Sequence, residues 1–298
     1  EKPAGYPNNF TPDRTAVDDG FIPKVGLQYD LSDNMMVWGV YSEGYRVGGT
    51  NRARGTPTLP VEYGQDIIEN KEIGLKSSWA DNTIQFNATY YEMGWSDMQL
   101  ELTDPAFSIG EPWQAVVANL GDGTVKGMDV DLTALVGDIQ FGFNMTKVFD
   151  AYVNPMQSYP DARFEGGVAD LGLDAKSTLP LFGDMAYSLY TEYSGPINLF
   201  GDDTQGFARV QHSYNGESLN QLSDGGNAPR YTQGDYRVTD LIMGFDVGDW
   251  KAQLSLNNIT DERGISYRDS SDFDPYYGRY SDSVIRPKNY SISLRRYF

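Results

Sequence analysis

Along most of the chain apolar and polar residues alternate with a period of two, in segments broken in turn by very short and by long connections. From Glu72 to Trp79, Ile73, Leu75, Ser77 and Trp79 fall on one side, and Glu72, Gly74, Lys76 and Ser78 on the other. After Ala80-Asp81-Asn82 the alternation resumes, with Ile84, Phe86, Ala88 and Tyr90 set against Thr83, Gln85, Asn87 and Thr89. Successive side chains of a strand point to opposite faces, so each segment predicts a strand with one apolar and one polar face, and the pair predicts an antiparallel hairpin. The unit recurs. Met128, Val130 and Leu132 lead through Val136-Gly137-Asp138 into Ile139, Phe141, Phe143 and Met145, with Asp129 and Asp131 on the opposite face. Leu241, Met243 and Phe245 lead through Val247-Gly248-Asp249 into Trp250, Ala252, Leu254 and Leu256. An earlier hairpin turns at Ser32-Asp33-Asn34.

Between these hairpins lie long Gly-, Pro- and Asp-rich connections at about residues 47–66, 153–172, 215–234 and 263–283. Short turns therefore collect at one end of the strands and long loops at the other, as in outer-membrane barrels with short periplasmic turns and longer extracellular loops. Tyr29, Trp79, Tyr193, Phe245 and Trp250 fall in the apolar register beside the short turns, where an interfacial girdle belongs. About eleven strands result, with no helix and no second domain.

Composition sharpens this. Mean hydropathy is −0.49, and no apolar run approaches the roughly 18 residues a spanning helix needs. A membrane barrel escapes that test, because only alternate residues meet lipid. The net charge of −19, with only 23 Lys and Arg, argues against nucleic acid as a partner. Cysteine is absent, which removes disulfides and thiolate metal sites from consideration. The chain opens at Glu1 without Met, so further residues are expected before it.

Several stretches carry a family likeness: Tyr41-Ser42-Glu43-Gly44-Tyr45-Arg46 with Gly48-Gly49, Glu69-Asn70-Lys71-Glu72-Ile73-Gly74-Leu75-Lys76, Lys126-Gly127-Met128-Asp129-Val130-Asp131-Leu132, Asn257-Asn258-Ile259-Thr260-Asp261, and the closing segment from Arg286-Pro287 to Phe298. In this order, from about Phe21 to Phe298, they resemble the C-terminal barrel part of the TonB-dependent outer-membrane receptors. The resemblance implies an all-β, antiparallel transmembrane β-barrel. Residues 1–298 would form about eleven strands, the C-terminal half of a roughly 22-stranded plugged barrel. The plug and the first barrel half would come from outside these residues, and TonB would be contacted through an N-terminal region also outside them. Tyr290, Ile292, Leu294 and Phe298 resemble the terminal strand read by the outer-membrane assembly machinery. Arg296 departs from that pattern by placing a cation on the apolar side. Lipopolysaccharide and lipid would surround the barrel in the bacterial outer membrane.

Such a receptor binds and imports a scarce solute and is not an enzyme, so no catalytic residue, cofactor or metal is expected. Ligand contact is expected from the long loops, where Arg46, Arg52 and Arg54, and Tyr276, Tyr277 and Arg279, combine charge, donors and aromatic faces. The sole histidine, His212, adjoins Ser213, but neighbours in a strand face opposite sides, which speaks against a nucleophile and base pair. Gly121-Asp122-Gly123 with Gly127 reads as a strand irregularity, since no helix follows. Asp269, Asp272, Asp274 and Asp282 match no calcium loop and read as a solvated acidic loop. The rival readings are a passive porin or export barrel, a barrel hydrolase and a soluble β-sandwich. Ferric siderophore, cobalamin, haem, oligosaccharide and peptide all remain open as solutes.

Overall fold

The computed structural model describes residues 16–51, 62–103, 115–119, 121–155, 158–160, 168–170, 176–180, 183–199, 204–220, 222, 230–274 and 279–298. Eleven strands follow one another through a single antiparallel meander. They are β1 (Lys24–Ser32), β2 (Met35–Arg46), β3 (Asp66–Trp79), β4 (Ile84–Ser96), β5 (Gly121–Val136) and β6 (Ile139–Pro155). The series continues with β7 (Met185–Pro196), β8 (Gln205–Asn215), β9 (Tyr236–Val247), β10 (Trp250–Asn257) and β11 (Asn289–Arg296). The sheet is open, with β1 and β11 as its edges, and off its main path Ser177–Thr178 pairs with the end of β6.

The register sorts the residues as the alternation predicts. One row crosses seven strands through Val136, Ile139, Tyr193, Ala208, Met243, Leu254 and Ile292, all apolar or aromatic. The neighbouring face carries Lys76, Asn87, Asp131, Asn144, Ser188 and Ser213 in one row. Here Asn87 Nδ2 donates to Asp131 Oδ1 at 3.1 Å, and Thr146 Oγ1 donates to Asp129 Oδ1 at 2.6 Å. Aromatic rings also lie flat against glycines on this face: a Cβ on Gly127 would collide with the Tyr91 hydroxyl, and one on Gly74 with the Trp38 ring. Much of the apolar face, among the described residues, stands open. Ile73 is 62% exposed and Ile292 78%, and the buried apolar residues of the described chain, Met98, Ala118, Val125, Val153 and Leu179, lie toward the long-loop end instead. A soluble sandwich would bury this face against a second sheet; a barrel in lipid leaves it outward.

The turns have local causes. Ala80, Asp81 and Asn82 take positive φ of 52–66°, and Gly137 and Gly248 sit at φ 60° and 54°. The left-handed region costs glycine nothing and Asn or Asp little. Tyr29, Trp79, Tyr193, Phe245 and Trp250 all stand in the apolar register near this end. A second aromatic group marks the other end: Tyr187 stacks on Tyr214 at 5.2 Å, and Tyr90 on Phe149 at 6.4 Å. Phe149 is the extra residue where the register shifts between Val148 and Asp150, opposite Gly127 and Lys126. The irregularity expected near Gly121–Gly127 is thus a bulge in the partner strand, and β5 itself runs straight through those glycines.

Three features differ from the expectation. A fifth long connection, 97–120, separates β4 from β5 and itself forms a ladder, Gln99–Thr103 with Ala115–Asn119. The other long connections also begin as strand pairs, such as Ile265–Asp274 with Arg279–Val284, because a chain leaving one antiparallel strand and returning to the next keeps its partner within hydrogen-bonding reach. And β11 ends at Arg296, so that Tyr297 and Phe298 lie beyond the ladder, Tyr297 N donating to Asp249 O at 2.9 Å.

Candidate functional site

At the long-loop end the inward face changes character. Tyr91, Met93 and Trp95 continue the polar-side register of β4, and there they pack against Met98, Val125, Val153 and Leu179, all under 9% exposed. Removing this apolar surface from water holds the loop bases against the sheet. Just below, Trp38, Glu72, Tyr91, Met93 and Asp129 line a recess of about 480 Å³ on the inner wall.

A polar clamp joins two of the loops beside this cluster. Asp66, the first residue of β3, is 1% exposed and receives Arg46 Nε at 3.0 and 3.1 Å, with Arg46 Nη2 closing a second contact to it. Gln99 N donates to the same carboxylate at 2.9 Å, while Arg46 Nη2 donates to Gln99 O at 3.0 Å. The Arg46 guanidinium lies 4.7 Å from the Trp95 ring centre, a cation–π contact. With 14 residues, β3 overreaches the roughly 9–11 needed to cross a bilayer, so Asp66 stands above the crossing. Burial pushes the Asp66 carboxyl up, but the Arg46 and Gln99 donors outweigh it and hold the group below the usual carboxylate range. Asn51 exchanges bonds with Val117 at 2.6 and 2.8 Å, and Asn119 binds both backbone groups of Gly64. The described residues of the 47–65 and 97–120 connections are therefore tied to one another.

The opposite rim is held by Asn258, Asn220 and Arg268. Asn258, 2% exposed, donates from Nδ2 to Glu262 O and Arg286 O at 3.0 Å each and accepts Glu262 N at 2.9 Å. Asn220 accepts Tyr231 N at 2.6 Å. Arg268 binds both oxygens of Asp282 at 2.6 and 2.7 Å and lies 5.1 Å from the Tyr231 ring centre.

Of the expected ligand contacts, Arg46 sits at the mouth with half its side chain exposed and its guanidinium already engaged by Asp66 and Trp95. Arg279 opens the outer strand of the β10–β11 stalk, pairing with Asp274 in a loop remote in sequence from Arg46. Arg52, Arg54, Tyr276 and Tyr277 lie outside the described residues. Asp66, Trp95, Gln99 and Asn119 were not anticipated from sequence; the one available signal was the inward register of Tyr91, Met93 and Trp95, where the polar face turns apolar. His212 stands in the apolar row between Leu189 and Thr239, its Nδ1 2.9 Å from Thr239 Oγ1, whereas Ser213 Oγ meets Gln211 on the inner face. The two cannot act together. Of the acidic group, Asp282 is taken by Arg268, and the side chains of Asp269, Asp272 and Asp274 lie outside the described residues. The described mouth thus offers aromatic faces, cations and hydrogen-bond donors, which is the equipment of a binding surface.

The family described as TonB dependent receptor-like, beta-barrel matches residues 3–259. The ferric-pyoverdine M114 receptor PbuA of Pseudomonas sp. (strain M114) is 22% identical over 282 residues, covering 93% of this chain and 29% of the receptor. Among solved structures, the ferric yersiniabactin uptake receptor FyuA from Yersinia pestis superposes with a TM-score of 0.67 at 15% identity, over 92% of this chain and 37% of that one. The ferric-catecholate import receptor Fiu from E. coli K12 follows at 0.63 and 18%, over 91% and 34%. The chain thus spans about a third of the length of the proteins it matches.

Proposed function

The chain belongs to the TonB-dependent receptor family, as part of its outer-membrane β-barrel, and we propose on that footing that the intact protein captures a ferric chelate at its extracellular mouth and imports it with energy delivered through TonB. The family match over residues 3–259 carries this reading. The relatives support the solute class, being named for ferric pyoverdine, ferric yersiniabactin and ferric catecholate. In this reading Arg46, Arg52, Arg54, Tyr276, Tyr277 and Arg279 face the ligand from the loops, with the recess beneath Tyr91 and Met93 as the inner wall of its path. Unpaired strand edges in hydrocarbon cost several kcal/mol for each orphaned group. The free edges of β1 and β11 are therefore taken up by strands outside these 298 residues, which also supply the plug and the TonB contact.

The test is uptake of radiolabelled iron by iron-starved cells carrying or lacking the intact gene, offered as a panel of catecholate, hydroxamate and phenolate chelates. At least one chelate should enter only when both the gene and TonB are present. Uptake through the protein that persists without TonB would make it a passive pore. Uptake of no chelate in the panel would reject the iron assignment.

A further inference from the structure

We infer that the periplasmic end of the outward face holds a phospholipid, its phosphate on Arg296 and an acyl chain in a groove running between β7 and β11. The inference rests on the outer-membrane placement of the barrel and is independent of which solute is imported.

Arg296 is the anomaly that points there. Along β11 the outward column reads Tyr290, Ile292, Leu294, Arg296, and Arg296 stands opposite Trp250. An arginine on a lipid-facing column is unfavourable by about 2–4 kcal/mol at the midplane and far less at the interface. This one sits at the last strand position on the short-turn side, which is the periplasmic side. Its guanidinium lies 5.3 Å from the Trp250 ring centre and 4.9 Å from that of Phe298, so aromatic faces hold the cation where headgroups lie. Among the described residues no carboxylate pairs with it. A guanidinium fixed by two rings and lacking an anion is a ready partner for a phosphate, which it can grip through two parallel N–H bonds.

The groove begins above it. Its floor is made of the small outward residues Gly206, Ala208 and Ala252, its ridges of Tyr193, Met243, Phe245 and Leu254, and the recess measures about 500 Å³. Ile292 borders it on β11, while Ile197 and Leu199 fold up from the β7–β8 connection to close the far side. Glycine at 206 is needed for that closure, since a Cβ there would come within 2.7 Å of Ile197 Cδ1. Leu199 is 60% exposed, apolar surface that an acyl chain would take out of water. From Ile292 to Arg296 is four residues, about 13 Å along the strand, a span that a glycerophosphate and the upper half of one acyl chain fill. The periplasmic leaflet places phospholipid at this height, and lipopolysaccharide belongs to the opposite one.

Native mass spectrometry of the intact receptor, delipidated in mild detergent and titrated with phosphatidylglycerol, tests this. Wild-type protein should retain one lipid more tightly than the rest. Arg296→Gln should weaken that lipid about tenfold, as expected for losing a charge-assisted bond. Ala252→Phe, which fills the groove and leaves the cation in place, should weaken it comparably. If Arg296→Gln fails to assemble, Ala252→Phe decides alone. Undiminished retention in Ala252→Phe would overturn the proposal. So would a tightly held molecule that proves to be lipopolysaccharide.

Discussion

The backbone N–H of Asn258 donates to the Asp240 carboxylate at 2.8 Å, tying the turn that ends β10 to the neighbouring strand β9. Asn258 takes φ of +50°, a conformation asparagine tolerates better than most residues, and its amide satisfies three backbone groups on both sides of the loop. Replacement by alanine orphans those groups in a site 2% exposed. Asn258→Ala should therefore destabilise the intact receptor by about 2–4 kcal/mol, read as the shift in its denaturant unfolding midpoint in lipid vesicles. A change within the scatter of surface substitutions would mean that the motif does not anchor the loop.

Acid should loosen the stalk above β10 and β11. Arg268, through its bonds to Asp282, holds that carboxyl below the usual carboxylate range. A carboxylate depressed in the folded state lends stability above its unfolded value, near pH 4, and loses it as pH falls through the lower folded value. A spin label at Ser266 should become more mobile on acidification through that window. In Asp282→Asn it should already be mobile at neutral pH, with little further change. Equal acid response in both proteins would contradict the assignment.

Phe298 projects beyond the last ladder bond and is fully exposed, so it contributes little to the sheet. If it acts as an assembly signal, its deletion should reduce the amount of receptor inserted in the outer membrane without lowering synthesis. The fraction that does insert should unfold at the wild-type denaturant concentration. Wild-type insertion after the deletion would remove that role.

The eleven strands and their short turns were legible because period-two alternation is enforced at every position by lipid on one face and a hydrated lumen on the other. The connection after β4 was missed for a physical reason. Gln99, Leu100, Glu101 and Leu102 carry the alternation on past the strand's end, and the break is made by Asp97 at φ +53°, a conformation its residue type does not announce. The mouth was legible only in part. Arg46 was singled out as a loop cation, but its partners Asp66 and Gln99 lie 20 and 53 residues away, and no local pattern reports a contact across neighbouring loops. Asn258 stood out as part of a motif, while its work as a buried tie depends on Glu262 and Arg286 converging on one amide.

The central claim, that one face of this sheet meets lipid and the other a lumen, is tested most directly by a pair of adjacent substitutions in β10. Leu254 stands outward between Met243 and Ile292, and Gln253 inward between Gly244 and Ser293. Unfolding free energies of the intact receptor in lipid vesicles should fall by about 2–4 kcal/mol for Leu254→Arg, with a much smaller loss for Gln253→Arg. Equal losses, or a greater one at Gln253, would contradict the account.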